Sequence, residues 1–235
     1  MIKNLSKKTE FSHFSKIAKE WWKPNGKFQI LHKINPLRIE YILKNINQKK
    51  IEKLEILDLG CGGGLVCEPL SRLKAKITGI DFVKENIDIA KQHAKISKLK
   101  IQYIHDDLNF LKISKKFDVI LLLEVLEHME NWKTFIKKVK KLLKPNGILI
   151  ISTINRTKFS KFFAIFLAEN FLNWVPKNTH DYSKLITPVE LHSNLNECNF
   201  NVLDTSGMNY NPLLRTWSIN KNLYKINYFC TAKLN

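Results

Sequence analysis

The sequence predicts an α/β fold: a doubly wound, mostly parallel sheet of seven strands with helices on both faces. Five apolar segments alternate with helix-like segments between residues 51 and 152. One of them, Phe117–Leu123, is rich in aliphatic residues, as expected for a central parallel strand that is covered on both faces. Two later segments, 202–205 and 224–232, bring the count to seven, and the alternation within 224–232 predicts an antiparallel final strand.

The predicted elements follow one another in a simple order. Residues 9–47 have a helical pattern that is broken around Pro24, and we interpret them as an N-terminal helical lid. The elements after it are a strand at 51–60, a helix at 65–73, a strand at 76–81, a helix at 83–95, strands at 101–104 and 117–123, a helix at 132–143 and a strand at 148–152. An aromatic-rich insertion follows, and a short helix at 188–197 comes after it. We expect a single domain over residues 1–235.

The composition argues against several classes of protein. The 39 Lys and Arg residues outnumber the 21 acidic residues, for a net charge of +18, but only four are Arg. Because phosphate and base recognition favours the Arg fork, no nucleic-acid partner is expected. The four cysteines lack a metal-binding spacing and are interpreted as free thiols of a reducing cytosol. The longest apolar run, 162–175, is shorter than the roughly 20 residues that cross a bilayer, and the N-terminus lacks the apolar core of a secretory signal.

A glycine-rich corner follows the first predicted strand. Residues 58–64 read Asp-Leu-Gly-Cys-Gly-Gly-Gly. Without Cβ atoms at that corner, backbone N–H groups and the positive end of the next helix can approach a ligand closely. Asp81 then ends the second strand, and this order of turn and acid is the nucleoside-binding layout of an open parallel sheet.

Residues beside the corner distinguish two nucleoside ligands. A dinucleotide site requires a third glycine in the pattern G-x-G-x-x-G, but Leu65 occupies that position. Asp58 would face the negative pyrophosphate of a dinucleotide, whereas it suits a ligand that carries an ammonium or a sulfonium. We therefore interpret the corner as a site for S-adenosylmethionine.

The motifs resemble those of the class I S-adenosylmethionine-dependent methyltransferases over residues 54–153. They are residues 58–64, 80–81, the loop 105–108 and the Leu-Lys-Pro-Asn-Gly sequence at 143–147. Within that class the chain is similar to the ubiquinone-biosynthesis O-methyltransferases over residues 11–233, on segments 21–22, 31–38, 124–128, 153–156 and 175–181. The resemblance implies O-methylation of catechol-type hydroxyls of polyprenylated ring intermediates at two steps, on a 2-polyprenyl-6-hydroxyphenol and on 3-demethylubiquinol.

Other functions remain open, because a shared core does not fix the methyl acceptor. One alternative is a class I methyltransferase for another small-molecule or lipid hydroxyl or carboxyl. Another is a nucleic-acid methyltransferase or a regulator that binds the cofactor without catalysis. The scarcity of Arg and the apolar insertion favour the isoprenoid acceptor.

The resemblance implies that Arg38, Gly60, Asp81 and Leu123 contact S-adenosylmethionine. Arg38 would pair with the methionine carboxylate, Asp81 would accept hydrogen bonds from the ribose hydroxyls, and Leu123 would pack beside the adenosyl group. Three further residues complete the predicted cofactor site: Asp58, Gly62 and Asp107, the last of which lies in the predicted adenine-side loop.

Glu124, Glu127 and His128 are the candidate catalytic residues, since they follow the fourth strand at the edge where ligands of open α/β sheets bind. If the chain is helical there, all three share one face. Deprotonating a phenol of pKa ~10 at neutral pH costs about 4 kcal/mol, which the site must offset. The three residues could hold Mg²⁺ or Zn²⁺, His128 could act alone as a base, or the cluster could only orient the loop. The pair His180 and Asp181 is a weaker candidate.

The predicted domain divides into a lid (1–47), a cofactor-binding core (48–155), an insertion (156–187) and the C-terminal part of the sheet (188–235). Lysines flank the apolar segment 159–175, which predicts either peripheral contact with an anionic membrane or an ordinary buried helix pair. The predicted partners are thus a polyprenylated phenol or quinol, anionic lipid and other enzymes of the ubiquinone pathway. The predicted location is cytoplasmic, at the inner face of the cytoplasmic membrane.

Overall fold

The computed structural model describes residues 15, 17–111, 113–160, 182–211, 213–214 and 216–235. Within these residues, eight strands form one sheet in the order β3-β2-β1-β4-β5-β8-β6-β7. The strands are β1 (Glu55–Leu59), β2 (Lys76–Asp81), β3 (Gln102–His105), β4 (Phe117–Leu123), β5 (Leu143–Ile154), β6 (Phe200–Asn211), β7 (Thr216–Lys221) and β8 (Asn227–Leu234). The α-helices of the described residues are α1 (Gln29–Asn45), α2 (Cys67–Arg72), α3 (Lys84–Ile96), α4 (Trp132–Lys140) and α5 (Pro188–Glu197).

The topology confirms the predicted mostly parallel, doubly wound sheet. Strands β1 to β5 pair in parallel, whereas β8 runs antiparallel to both β5 and β6. The chain order reverses between β1 and β4, which are neighbours in the sheet. In open α/β sheets the crevice beyond the carboxyl ends of the strands at such a point binds ligands.

Strand β4 shows why the sheet needs helices on both faces. Ile120 and Leu122 belong to one buried cluster together with helices α4 and α5, and Val119 and Leu121 belong to a second one with α1, α2 and α3. Alternate side chains of a strand point to opposite faces, so a strand that is apolar at nearly every position must be covered twice. The structure thus confirms the predicted central position of this strand.

Several predicted boundaries differ from the structure. The sheet has eight strands rather than seven, because β7 pairs with β6 at the edge. Strand β5 begins at Leu143, and the turn predicted at 144–147 is an irregularity inside it, since Phe117 pairs with Leu143 and Val119 with Ile148. Helix α4 accordingly ends at Lys140. Strand β6 is longer than the predicted segment 202–205.

The N-terminal segment covers the glycine corner. A 3₁₀ turn at Ala18–Glu20 precedes α1, and Trp21 stacks on Phe28 in a small cluster with Leu65. Among the described residues, no helix is long and apolar enough to cross a membrane. Residues 1–14 and 161–181 lie outside the described residues, so the predictions for His180, Asp181 and most of 159–175 lie there as well.

Candidate cofactor and catalytic site

The glycine corner is a backbone turn that only small residues fit. Gly60, Gly62 and Gly64 all have positive φ angles, of 78°, 52° and 87°. The N–H groups of Gly60 and Cys61 donate to the carbonyl of Ile80, at 2.8 and 3.0 Å, which joins the turn to the end of β2. The corner after β1 is thereby held next to the acid that ends the neighbouring strand.

Asp81 lies buried at that point, where three donors hold its carboxylate. Its Oδ2 accepts from Gly62 N at 2.9 Å, and its Oδ1 accepts from Val83 N at 2.8 Å and from Asn86 Nδ2 at 3.2 Å. Burial raises the pKa of Asp81, and the bonds from the two backbone donors oppose that shift. The structure therefore brings two predicted residues, Gly62 and Asp81, into direct contact.

Arg38 reaches the same edge from α1. The residue is 5% exposed, and its Nη2 lies 3.4 Å from Glu124 Oε1. Its Nε is buried and has no hydrogen-bond partner among the described residues. A buried donor without an acceptor is costly, so this atom fits a ligand carboxylate such as that of a methionine moiety.

Asp58, at the end of β1, is buried and accepts a hydrogen bond from the Cys67 thiol at 3.2 Å. Burial raises its pKa to about 6, while the thiol and the nearby Arg38 charge act against that shift. A cationic ligand beside Asp58 would favour its ionised form.

The chain does not continue as a helix after β4. Glu124 has a left-handed backbone, with φ of 58°, and only a 3₁₀ turn follows, at Leu126–His128. Glu124 N donates to Ser152 O at 2.9 Å, and Ser152 Oγ donates to Glu124 Oε1 at 2.8 Å. The condition under which Glu124, Glu127 and His128 are expected to share one helical face is therefore not met, because contacts with β5 turn the chain at Glu124.

Glu127 is buried, and its Oε2 accepts a hydrogen bond from Thr153 Oγ1 at 2.8 Å. Burial raises its pKa to about 8; the nearby Glu124 carboxylate adds to the shift and His128 opposes it. His128, the next residue, is exposed. The turn thus places a buried carboxyl, a second carboxylate and an accessible imidazole beside one another.

The predicted three-ligand metal site is not formed. Across the described part of the chain, no three His, Cys, Asp or Glu side chains are arranged to hold a metal ion. The two carboxyl groups are engaged elsewhere: that of Glu124 is hydrogen-bonded to Ser152 and Arg38, and that of Glu127 is hydrogen-bonded to Thr153.

The remaining predicted residues lie nearby with different surroundings. Leu123 is buried at the end of β4. Asp107 is exposed, and its Oδ1 accepts two hydrogen bonds from Asn109, so its side chain is engaged within its own turn. The loop itself adjoins β2, because Asp106 N donates to Asp81 O at 3.2 Å.

Sequence reasoning missed four residues at this edge: Trp21, Asn86, Ser152 and Thr153. The two hydroxyl residues close the otherwise aliphatic run of β5, and that break in an apolar strand could have indicated them. Trp21 lies in segment 21–22, which carries the family resemblance but for which the sequence predicts no role, and Asn86 has no local signal in the sequence.

Comparisons with known proteins show which proteins this chain is similar to. A family model described as a methyltransferase domain matches residues 31–205. The ubiquinone biosynthesis O-methyltransferase of Pelagibacter ubique is 46% identical over 233 residues, covering 96% of this chain and 97% of its own. The protein of the same name from Rickettsia felis is 43% identical over 224 residues, covering 94% and 91%.

Solved structures resemble the fold. A methyltransferase of Thermotoga maritima superposes with a TM-score of 0.69 at 13% identity, over 96% of this chain and 100% of its own. The magnesium protoporphyrin IX methyltransferase of Synechocystis, with bound S-adenosylhomocysteine, gives 0.66 at 17% identity, over 89% and 86%. At these identities the two structures establish the fold alone. Together with the near full-length relatives, they show that the chain is a class I methyltransferase that belongs to the ubiquinone biosynthesis O-methyltransferase family.

Proposed function

We propose that this protein methylates a catechol-type hydroxyl of polyprenylated ring intermediates in ubiquinone biosynthesis, at both O-methylation steps, with S-adenosylmethionine as the methyl donor. The observation that carries the proposal is the similarity to O-methyltransferases of that pathway along nearly the whole chain. The edge of the sheet supports it, since it combines a glycine corner, a buried acid and a carboxyl–imidazole turn.

The residues present fit the cofactor. Arg38 Nε would donate to its carboxylate, Asp81 would accept from its ribose, and Asp58 would lie on the side of its cationic groups. Gly60 and Gly62 give the corner its left-handed backbone turn, and Leu123 would pack beside the adenosyl group. When bound, S-adenosylmethionine supplies the methyl group from an already activated sulfonium.

The protein's own task is to hold the acceptor oxygen and to take its proton. We assign the proton to His128, because its imidazole is exposed in the turn that follows β4 and imidazole is the side chain best suited to general base catalysis near neutral pH. Glu124 and Glu127 lie beside it. The Glu124 carboxylate favours the imidazolium that forms, whereas burial raises the pKa of Glu127 to about 8 and keeps that carboxyl mostly protonated near neutral pH. Thr153 and Ser152 hold these carboxyl groups in place.

The acceptor's polyprenyl tail suggests where the protein works. Phe159, which is 64% exposed, lies at the start of the insertion beside Lys225, whose Nζ is 5.6 Å from the ring centroid. Together with the charge of +18, this supports peripheral contact of 159–175 with anionic lipid at the inner face of the cytoplasmic membrane. Contact with other enzymes of the pathway at that surface is part of the same proposal.

A methyl-transfer assay with a short-prenyl catechol tests the function. We expect S-adenosylmethionine-dependent formation of the methyl ether, and much lower turnover in Glu124→Gln with little change in cofactor affinity. Turnover with an unrelated carboxylic acid but none with the catechol would contradict the proposal. Parallel assays with EDTA and with Mg²⁺ add a second readout. A loss that Mg²⁺ restores would show that turnover requires a metal ion, for which the described residues form no three-ligand site in this structure.

A further inference from the structure

Trp21 lies directly on the glycine corner. A Cβ atom built on Gly63 would be 2.4 Å from Trp21 Cγ, and one on Gly62 would be 2.5 Å from Trp21 Cζ2. Phe28 stacks on the indole with ring centroids 3.7 Å apart, and His32 Nε2 lies 2.8 Å from the carbonyl of Trp21. The indole is thus a fixed wall of the corner, and the two glycines are what allow it to approach so closely.

Asn86 connects this wall to the acid at the end of β2. Trp21 Nε1 donates to Asn86 Oδ1 at 2.7 Å, and Asn86 Nδ2 donates to Asp81 Oδ1 at 3.2 Å. The asparagine is 3% exposed, so water does not supply alternative partners for its amide. A flipped amide would set donor against donor at Trp21 and acceptor against acceptor at Asp81, so both partners fix the same orientation.

We propose that Asn86 is a positioning residue for cofactor binding, whose amide joins Trp21 to Asp81 so that the N-terminal segment and the ribose-binding acid act as one unit. The inference rests on the proposed function and deepens it, because neither Trp21 nor Asn86 belongs to the predicted site. Asparagine is suited to this position, since it offers one acceptor and one donor at the right reach. Aspartate would keep the bond from Trp21 but set a second carboxylate against Asp81, and leucine would lose both bonds.

Titration calorimetry with S-adenosylhomocysteine tests the coupling. Trp21→Phe keeps an aromatic ring on the glycines and removes the donor, and we expect binding about five-fold weaker, the size of one neutral hydrogen bond. Asn86→Asp should weaken binding at least about ten-fold, because a charged group is involved. In an Asn86→Leu background, which lacks both bonds, Trp21→Phe should add less than about a two-fold effect.

Matched controls separate coupling from general destabilisation. Trp217→Phe, in β7, removes an indole elsewhere, and Asn194→Asp changes an asparagine that is only 2% exposed in α5. Both should leave the affinity for S-adenosylhomocysteine unchanged, and thermal unfolding of all variants reports their stability. Turnover at saturating cofactor should also stay near that of the unaltered protein in Trp21→Phe, so that the change appears in KM rather than in kcat.

The outcomes distinguish this inference from the proposed function. Unchanged affinity in Trp21→Phe, or full additivity with Asn86→Leu, would overturn the coupling while leaving the proposed function intact. Absence of binding by the unaltered protein would overturn both. Should Asn86→Leu fail to fold, Trp21→Phe and Asn86→Asp still decide, since each removes a different one of the two hydrogen bonds of Asn86.

Discussion

The two edges of the sheet both carry charged side chains, but the charges are placed in different surroundings. At the carboxyl ends of β1, β2 and β4, four ionisable groups are buried: Arg38, Asp58, Asp81 and Glu127. At the amino ends of β1, β2 and β3, lysines surround a cleft of about 580 Å³. Its lining lysines are Lys74, Lys76, Lys98, Lys100 and Lys115.

The two edges differ in how burial changes the pKa and the pairing of their charged side chains. In the amino-end cleft, Glu55 pairs with Lys76 at 3.7 Å and with Lys115, and both lysine side chains are about half exposed or more. Exposed pairs of this kind contribute little, because water screens them. At the carboxyl edge, burial raises the pKa of Asp58 and Glu127, and Arg38 keeps a donor without a partner. Ionisable groups that have a shifted pKa, or a donor without a partner, therefore indicate a functional site better than the size of a cleft does.

The largest expected effect is at Asp81. Asp81→Asn replaces one carboxylate oxygen by an amide group that donates towards existing N–H groups. We expect S-adenosylhomocysteine to bind about 100-fold more weakly, which corresponds to the loss of two charge-assisted hydrogen bonds. Calorimetry measures the change. Glu55→Gln is the matched control, since it makes the same substitution at the other edge of the sheet and should leave the affinity unchanged. Equal losses in both variants would remove the distinction between the edges.

The next effect is on turnover. His128→Ala should lower kcat about 100-fold, the usual contribution of a general base, with cofactor affinity within about two-fold. Steady-state kinetics with a short-prenyl catechol, together with calorimetry, separate the two quantities. His192→Ala, in α5, is the control, because that histidine bonds to Thr205 at 2.8 Å within the structural part of the sheet. Retained turnover in His128→Ala would place the base elsewhere.

How far the sequence alone predicts these features depends on whether a local pattern decides them. The bounds of β4 and of α5 match the predicted segments, because aliphatic runs and a Thr-Pro start with Glu190 in the first turn are local signals. The left-handed turn at Glu124 is different. An Asn or Gly at this position would have indicated the left-handed turn. Here two hydrogen bonds with Ser152, which is distant in sequence, hold a glutamate in that conformation. The position of Trp21 on the glycines is likewise a tertiary contact.

The pH dependence of stability tests whether the buried carboxyl of Glu127 is protonated. Its pKa rises from 4.5 to about 8 on folding, so the native state binds more protons in that range and stability falls as pH rises from about 4.5 to 8. The raised pKa of Asp58 contributes to this fall in stability only at the lower end of the range, up to about pH 6. Urea unfolding should therefore show that Glu127→Gln flattens the fall between about pH 6 and 8, by a few kcal/mol at most.

A second carboxyl supplies the control for that experiment. The pKa of Glu190 is lowered by hydrogen bonds from Thr187 and Arg156 despite partial burial, so its contribution is lost only as pH falls through the acid range. Glu190→Gln should consequently run parallel to the unaltered protein between about pH 6 and 8. If both variants flatten the fall alike, the dependence does not come from Glu127.

The smallest effect is expected at the amino-end cleft, where the comparison between the edges is easiest to break. Lys98→Ala and Lys100→Ala each remove one exposed charge from a rim of five lysines, and the field of one such charge is screened within about 10 Å at ordinary ionic strength. Affinity for S-adenosylhomocysteine and turnover should both stay within about two-fold of the unaltered protein, because the effect of a single exposed charge is small. A ten-fold loss in either quantity would show that the cleft acts on the reaction from the opposite end of the strands. Burial would then no longer separate the functional edge from the other one.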